Sequence, residues 1–330
     1  MSILAFGTSL AAFITGSVPS GLSVSTSSAE LAAEAGEGVA IATNSAQVLR
    51  LPFAAASDVW VDFSYYQNGS WPSAVAPILV LSSGGTDLFR LNVVASSGSM
   101  FRASYWNGSG WTYAAAAAGT AGSSSRVRFA LHVRISDSGG VIDLYKDGAL
   151  VASFEGDTQL TAATTVDSAR FSSMVSARAT LSAMMVADED TRAITYIHRR
   201  VNGAGAVSDW GGASTAVDET GIDDTDLIQS DTADEVSTFA KAALPTAYAS
   251  GYDVVGVGVV ARARKGASGP DRLQLVARSG STNGFSGDRT LDGAFAPASH
   301  VFHQNPATSA AWTYAEADAA QPGVKSIKAA

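Results

Sequence analysis

Short runs in which apolar and polar residues alternate dominate the chain, broken by Gly, Ser, Asn or Asp, and this period of two predicts strands. In the clearest run, 126–135, Val127, Phe129, Leu131, Val133 and Ile135 share one side while Arg126, Arg128, His132 and Arg134 share the other. Successive strand side chains point to opposite faces, so this is a half-buried strand with a basic outer face. A strand at 141–145 leads through Lys146-Asp147-Gly148 into a return strand at 149–154. Asp-Gly between apolar runs favours a tight hairpin, because glycine accepts positive φ. Another hairpin joins 101–106 to 111–113 around Asn107-Gly108-Ser109-Gly110, with Trp106 and Trp111 flanking the turn. Further strands are expected at 46–52, 59–66, 78–82, 88–94, 169–173, 179–187 and 193–198, then at 254–264, 273–278, 291–295, 300–303 and 324–328. The alanines 114–118 have helical propensity but are too few to stand alone, so they read as a strand end and loop. Thr313 and Glu316 have the spacing of a capping box, which predicts one short helix, with Gly323 placed to stop it.

The turn-rich Asn202-Gly203-Ala204-Gly205 marks a boundary. The expected fold is therefore all-β, with two β-sandwich, jelly-roll-like domains over 1–201 and 202–330 and one short helix near the C-terminus. A length of 330 residues allows each domain its own core. No repeat period points to a solenoid. With 46% hydrophobic and 15% charged residues the chain is too apolar to be disordered. Thirty acidic against 21 basic side chains give a net charge of −9, which argues against a nucleic-acid partner. Zero cysteines exclude disulfides, a thiolate nucleophile and cysteine-ligated metal. The apolar runs at 3–6 and 10–14 imitate a secretory leader, but the first Lys or Arg is Arg50, so export by cleavage is not expected. No stretch of about 18 apolar residues predicts membrane insertion.

Catalytic constellations are not evident. The E-x-D-x-x-E spacing of jelly-roll glycosidases begins at Glu155-Gly156-Asp157 but meets Leu160 where the second Glu belongs. Such hydrolysis needs two carboxylates flanking one bond. There is no nucleophile elbow and no phosphate-binding loop. His132, His198, His300 and His303 are scattered, and a metal or other cofactor is not expected. The acidic stretch 218–226, with Asp231, Asp234 and Glu235, has oxygen ligands of the type calcium takes, but not EF-hand spacing; a solvated face is the alternative. Trp71, Trp106, Trp111 and Tyr113 are candidate glycan contacts, with Asn68 and Asn107 available to sugar hydroxyls. Packing of Trp106 on Trp111 across their hairpin is the competing reading. The basic face of 126–134 either meets an acidic surface or is solvated.

The order Val59-Trp60-Val61-Asp62-Phe63, then 129–134, 142–151 and 184–192, resembles the concanavalin A-like (laminin-G-like) jelly roll over roughly residues 18–200. The later stretches 259–265, 269–280 and 305–316 resemble a β-sandwich module of structural proteins from tailed bacteriophages and phage-like particles. That resemblance implies a non-enzymatic virion structural protein, a fibre, spike or decoration subunit. It would pack against other virion subunits and sister copies, assemble in the bacterial cytoplasm, and touch host surface polysaccharide. A carbohydrate-binding lectin is the alternative, and a glycan depolymerase a third reading.

Overall fold

The computed structural model describes residues 2–7, 22–25, 38–41, 48–68, 75–94, 100–114, 118–120, 126–159, 161–172, 178–218 and 222–328. They fall into two compact units that meet in sequence between Tyr196 and Ile197. The architecture is all-β, as the alternation predicts.

Two antiparallel sheets build the first unit. The front sheet has the order β13 (Ala149–Gly156), β12 (Gly140–Lys146), β11 (Arg126–Arg134), β5 (Asp58–Asn68), β15 (Arg178–Ala187), β3 (Gly38–Ile41), β2 (Leu22–Ser25), with β1 (Ile3–Gly7) also on β15. The back sheet runs β10 (Ala118–Thr120), β8 (Met100–Trp106), β7 (Thr86–Val94), β6 (Ala76–Ser83), β14 (Val166–Ser172), β4 (Val48–Ala56), with β9 (Trp111–Tyr113) on the outer side of β8. Val59, Val61, Phe63 and Tyr65 of β5, and Val127, Phe129, Leu131 and Val133 of β11, are all buried between the sheets. Their rings interlock with the back sheet: Phe63 lies 5.2 Å from Phe171, and Phe129 lies 4.5 Å from Phe101, centroid to centroid. The hairpin joining β12 to β13 turns at Asp147 and Gly148, whose φ values of 49° and 81° fit the two-residue turn that Asp-Gly favours.

In the second unit one sheet has the order β16 (Val201–Ser208), β17 (Val236–Lys241), β23 (Gln321–Ile327), β19 (Arg272–Ser279), β20 (Thr282–Phe285), with β21 (Arg289–Thr290) on β19. A two-stranded sheet of β18 (Val257–Ala263) and β22 (Ala296–Phe302) shares a core with it, including Val259, Leu275, Phe302, Trp312 and Val324. The helix α1 (Tyr314–Ala319) starts with the predicted capping box, Thr313 and Glu316 each bonding the other's backbone. Among the described residues no helix is long and apolar enough to cross a membrane.

Several expected elements differ. Residues 193–198 are not a strand: the carbonyl of Ile194 within them, and that of Thr191 just before them, bond the Arg128 side chain rather than a ladder. Residues 291–295 form a bend, and the short β21 just before them pairs with β19. Gly323 does not end the helix, which stops at Ala319; it sits in β23, where a Cβ would come within 2.3 Å of the Ser237 carbonyl oxygen. Asn202-Gly203-Ala204-Gly205 lie inside β16. That strand and β17 escape the pattern because Gly, Ala, Ser and Thr fill positions where apolar side chains would mark the alternation.

His198 is half-buried, and burial, with Arg200 and Arg199 nearby, pushes its imidazole down to about 4. An unfolded histidine takes up its proton near 6.5, so the unfolded chain binds protons in a window where the folded chain does not. Stability carried by neutral His198 is complete above about pH 6.5 and is lost as pH falls toward 4, by about 2–3 kcal/mol. In urea unfolding across that range, His198→Gln should show a shallower pH slope than the parent protein.

Candidate functional site

On the outward side of the front sheet, β5 and β11 are in register over their length. Trp60 stands opposite His132, Asp62 opposite Ala130, Ser64 opposite Arg128, and Tyr66 opposite Arg126. On the other flank of β11, β12 sets Asp143 opposite His132 and Tyr145 opposite Ala130. One methyl group, that of Ala130, is thus hemmed by long side chains. The result is a cavity of about 400 Å³ lined by Asp62, Arg126, Arg128, Asp147 and Arg192 with Ala130 at its floor.

Arg128 organises the wall. Its Nε donates to both Asp62 oxygens at 2.9 and 3.2 Å, and its Nη2 to Asp62 Oδ2 at 2.9 Å. The same Nη2 donates to the carbonyls of Thr191 and Ile194 at 3.0 and 2.8 Å, which fastens the segment after β15 across the sheet. Asp62 is only 3% exposed. Burial pushes its carboxyl above the usual range, and the Arg128 guanidinium pulls it back only in part. Asp147 is held by an exchange with the Arg128 backbone, its carboxylate accepting at 2.9 Å and its N–H donating at 2.8 Å. Arg126 donates to Ser64 Oγ at 3.1 Å.

Beside the cavity His132 stacks on Trp60, with centroids 4.3 Å apart and planes 7° from parallel, and Tyr145 lies 5.7 Å from Trp60. His132 Nε2 is 2.8 Å from Asp58, and Nδ1 is 3.7 Å from Asp143. Arg192 covers the stack, its guanidinium 4.0 Å from the Tyr145 centroid, and Asp190 grips it at 2.6 to 3.0 Å. That hydrogen bond holds the Asp190 carboxyl below the usual range. Burial, with Asp143 alongside, pushes the Tyr145 phenol up, so at neutral pH it offers an O–H donor rather than a base. The basic face of β11 is therefore neither bare nor simply solvated. Arg126, Arg128 and His132 are engaged as described, and Arg134 Nε donates to the Gly139 carbonyl at 2.8 Å.

The aromatic candidates lie on the other sheet. Trp106 and Trp111 are direct partners across their hairpin, edge to face at 5.7 Å, and Tyr113 stands opposite Ser104 on the same outward side. The packing expected across the hairpin is present, yet Tyr113 remains 41% exposed. Asn107 is committed to its own turn, accepting from the Ser109 and Gly110 N–H groups. Trp71 lies outside the described residues, as does the Asn68 side chain. Sequence reasoning missed Arg90 and Arg102, whose guanidinium carbons lie 3.7 Å from the Trp111 centroid and 4.7 Å from that of Tyr113. Alternation along 88–94 and 101–106 puts both on the outward side, but only the register sets them over those rings.

In the acidic stretch Asp224 pairs with Arg262 at 2.8 Å through both oxygens. Among the described residues no three His, Asp or Glu side chains gather as a metal site. His300 lies in β22 and packs edge-on against Phe302 at 4.7 Å, whereas His303 lies beyond the strand.

No family model matches the chain, and no curated protein matches it. Solved structures do match. A glucuronan lyase from the fungus Trichoderma reesei is 10% identical with a TM-score of 0.42, over 56% of this chain and 94% of that one. An alginate lyase is 11% identical with a TM-score of 0.39, over 60% of this chain and 99% of that one. The globular domain of Trypanosoma cruzi calreticulin is 8% identical with a TM-score of 0.36, over 57% of this chain and 81% of that one. The expectation of a non-enzymatic virion subunit is corrected at this point, since the solved structures that match include an alginate lyase and a glucuronan lyase. The virion assignment and the exclusion of enzymatic activity are both withdrawn. That expectation came from the resemblance of 259–265, 269–280 and 305–316 to a phage structural module, and such strand and turn sequences reflect a sandwich while being silent about what its faces do.

The Asp62–Arg128 pair yields a direct test. Removing one partner of a shielded ion pair leaves the other uncompensated. Because the Arg128 side chain is 30% exposed, the loss is discounted for solvent. Asp62→Ala should cost about 2 kcal/mol in urea unfolding and speed proteolytic cleavage within 188–196, while Asp62→Asn should cost less.

Proposed function

We propose that the first unit binds an acidic saccharide in the cavity over Ala130. The observation that carries this reading is the convergence of three guanidinium groups and two carboxylates around a floor of one methyl, in a cavity of about 400 Å³. That volume is within the range of small-molecule sites, about 300–1,000 Å³. The mixture of charges suits a sugar acid. Guanidinium groups offer planar pairs of N–H donors to a carboxylate, and aspartates accept hydrogen bonds from ring hydroxyls. Arg126 and Arg192 both line the cavity and are the natural contacts for the carboxylate. Asp147, exposed at the hairpin turn, faces the same space and can take a hydroxyl. Arg128 and Asp62 form the rigid wall rather than the adaptable part, since their mutual bonds and the Thr191 and Ile194 carbonyls fix them.

Titration calorimetry of the whole chain with a uronic-acid trisaccharide and its neutral counterpart tests the reading. The acidic trisaccharide should bind the more tightly, and Ala130→Phe, which fills the floor, should weaken it at least tenfold, about 1.4 kcal/mol or more. Arg192→Gln should weaken the acidic ligand more than the neutral one. Equal affinity for both sugars, or full affinity in Ala130→Phe, would refute it.

A further inference from the structure

The outward side of the back sheet carries a line of cations and rings that the front cavity does not use. Following the register from strand to strand, Arg50 of β4 faces Arg170 of β14, Arg170 faces Val80 of β6, and Val80 faces Arg90 of β7. Arg90 then faces Ser104 of β8, which faces Tyr113 of β9. The six positions form one row perpendicular to the strands. At roughly 4.8 Å per strand step, five steps span about 24 Å. Arg102 and Trp111 flank its far end, each in a cation–ring contact.

Charge on this face is unbalanced. Arg90 and Arg170 share a single carboxylate, Asp87, by hydrogen bonds from both. Although burial pushes Asp87 up, its bonds to Arg90 and Ser82 and the charge of Arg170 hold it below the usual carboxylate range, so it is ionised at neutral pH. Arg50 is exposed, and neither it nor Arg102 has a carboxylate partner among the described residues. The Nε–H groups of Arg90, Arg102 and Arg170 are shielded and donate to no acceptor among those residues. Among the described residues four arginines stand against one aspartate on this face, in a chain whose net charge is −9. Like charge has a cost without a counter-anion, and rings laid under guanidinium groups fix those charges in place.

We infer that this row is a binding surface for a linear anionic polysaccharide lying across the strands, with its acid groups on Arg50, Arg170 and Arg90 and a sugar ring against the exposed side of Tyr113. The spacing favours a glycan over a nucleic acid. The backbone positions lie one and two strand steps apart and the charged ends of Arg90 and Arg170 meet on Asp87, so the row offers few separate cations along about 24 Å, sparse compared with a duplex, which carries one charge per about 1.7 Å of axis. The ring faces toward Arg90 and Arg102 are also occupied by guanidinium, which leaves no open stacking ladder for successive bases. The surface is on the opposite sheet from the cavity over Ala130, and the inference stands without that site.

Affinity electrophoresis and titration of the whole chain with polygalacturonate, a neutral glucan and a single-stranded oligonucleotide test it. Polygalacturonate should bind, weaken with added salt, and outcompete the other two. Arg50→Gln, an exposed change that does not disturb the fold, should weaken polymer binding severalfold, and Arg90→Gln with Arg170→Gln at least tenfold. In Ala130→Phe the polymer binding that remains should still weaken with Arg50→Gln, which separates this surface from the front cavity. Failure to bind polygalacturonate, an oligonucleotide bound equally well, or affinity unchanged in Arg50→Gln and in the double variant would each overturn the inference.

Discussion

Contact between the phenylalanine rings of two facing sheets is the constraint on which everything outward of them depends. Phe63 and Phe129 of the front sheet meet Phe171 and Phe101 of the back sheet, and all four are essentially without solvent exposure. Burying a ring of this kind contributes about 1.5–3 kcal/mol before packing is counted, so a strand that slipped by one residue would forfeit the whole set at once. With the inward positions committed, every second residue of each strand must face away from the core. The chemistry of the protein is written on those remaining positions.

The two outer faces meet that requirement differently. On the front sheet, charge is neutralised locally. Arg128 and Asp62 form a closed fork, Arg192 and Asp190 another, and His132 has a carboxylate near each ring nitrogen. Such shielded pairs gain little net stability because desolvation offsets attraction, but they hold geometry firmly. Here the geometry they hold is a cavity, and the segment after β15 is fastened in the same act. On the back sheet, arginines rest on tryptophan and tyrosine and share one carboxylate, so positive charge is positioned without being cancelled.

A single small residue has a large effect in this arrangement. Ala130 is flanked in register by Asp62 and Tyr145, and any longer side chain there would occupy the space the arginines enclose. Gly323 illustrates the same principle in the second unit, where β23 approaches β17 too closely for a Cβ. In both places the absence of side-chain atoms shapes the structure as much as any contact does.

The alternation of apolar and polar residues was enough to identify the sandwich, the inward set of β11, the Asp147-Gly148 hairpin, and the capped helix at Thr313, because each rests on contacts or dihedral preferences within a few residues. It was not enough to find β16 and β17, whose small residues leave the period of two unmarked, nor to see that 193–198 would surrender its strand to the Arg128 side chain. The candidate cavity was visible only in fragments: Arg126, Arg128 and His132 could be placed on one face, but Arg192, Asp62 and the methyl floor could not be joined to them. Likewise Trp106, Trp111 and Tyr113 were recognisable as a group while Arg50, Arg90 and Arg170 were not. Periodicity assigns a side chain to one face of its own strand; which side chain lies beside it on the next strand depends on register and sheet order, which are decided by the burial of residues far apart in the chain.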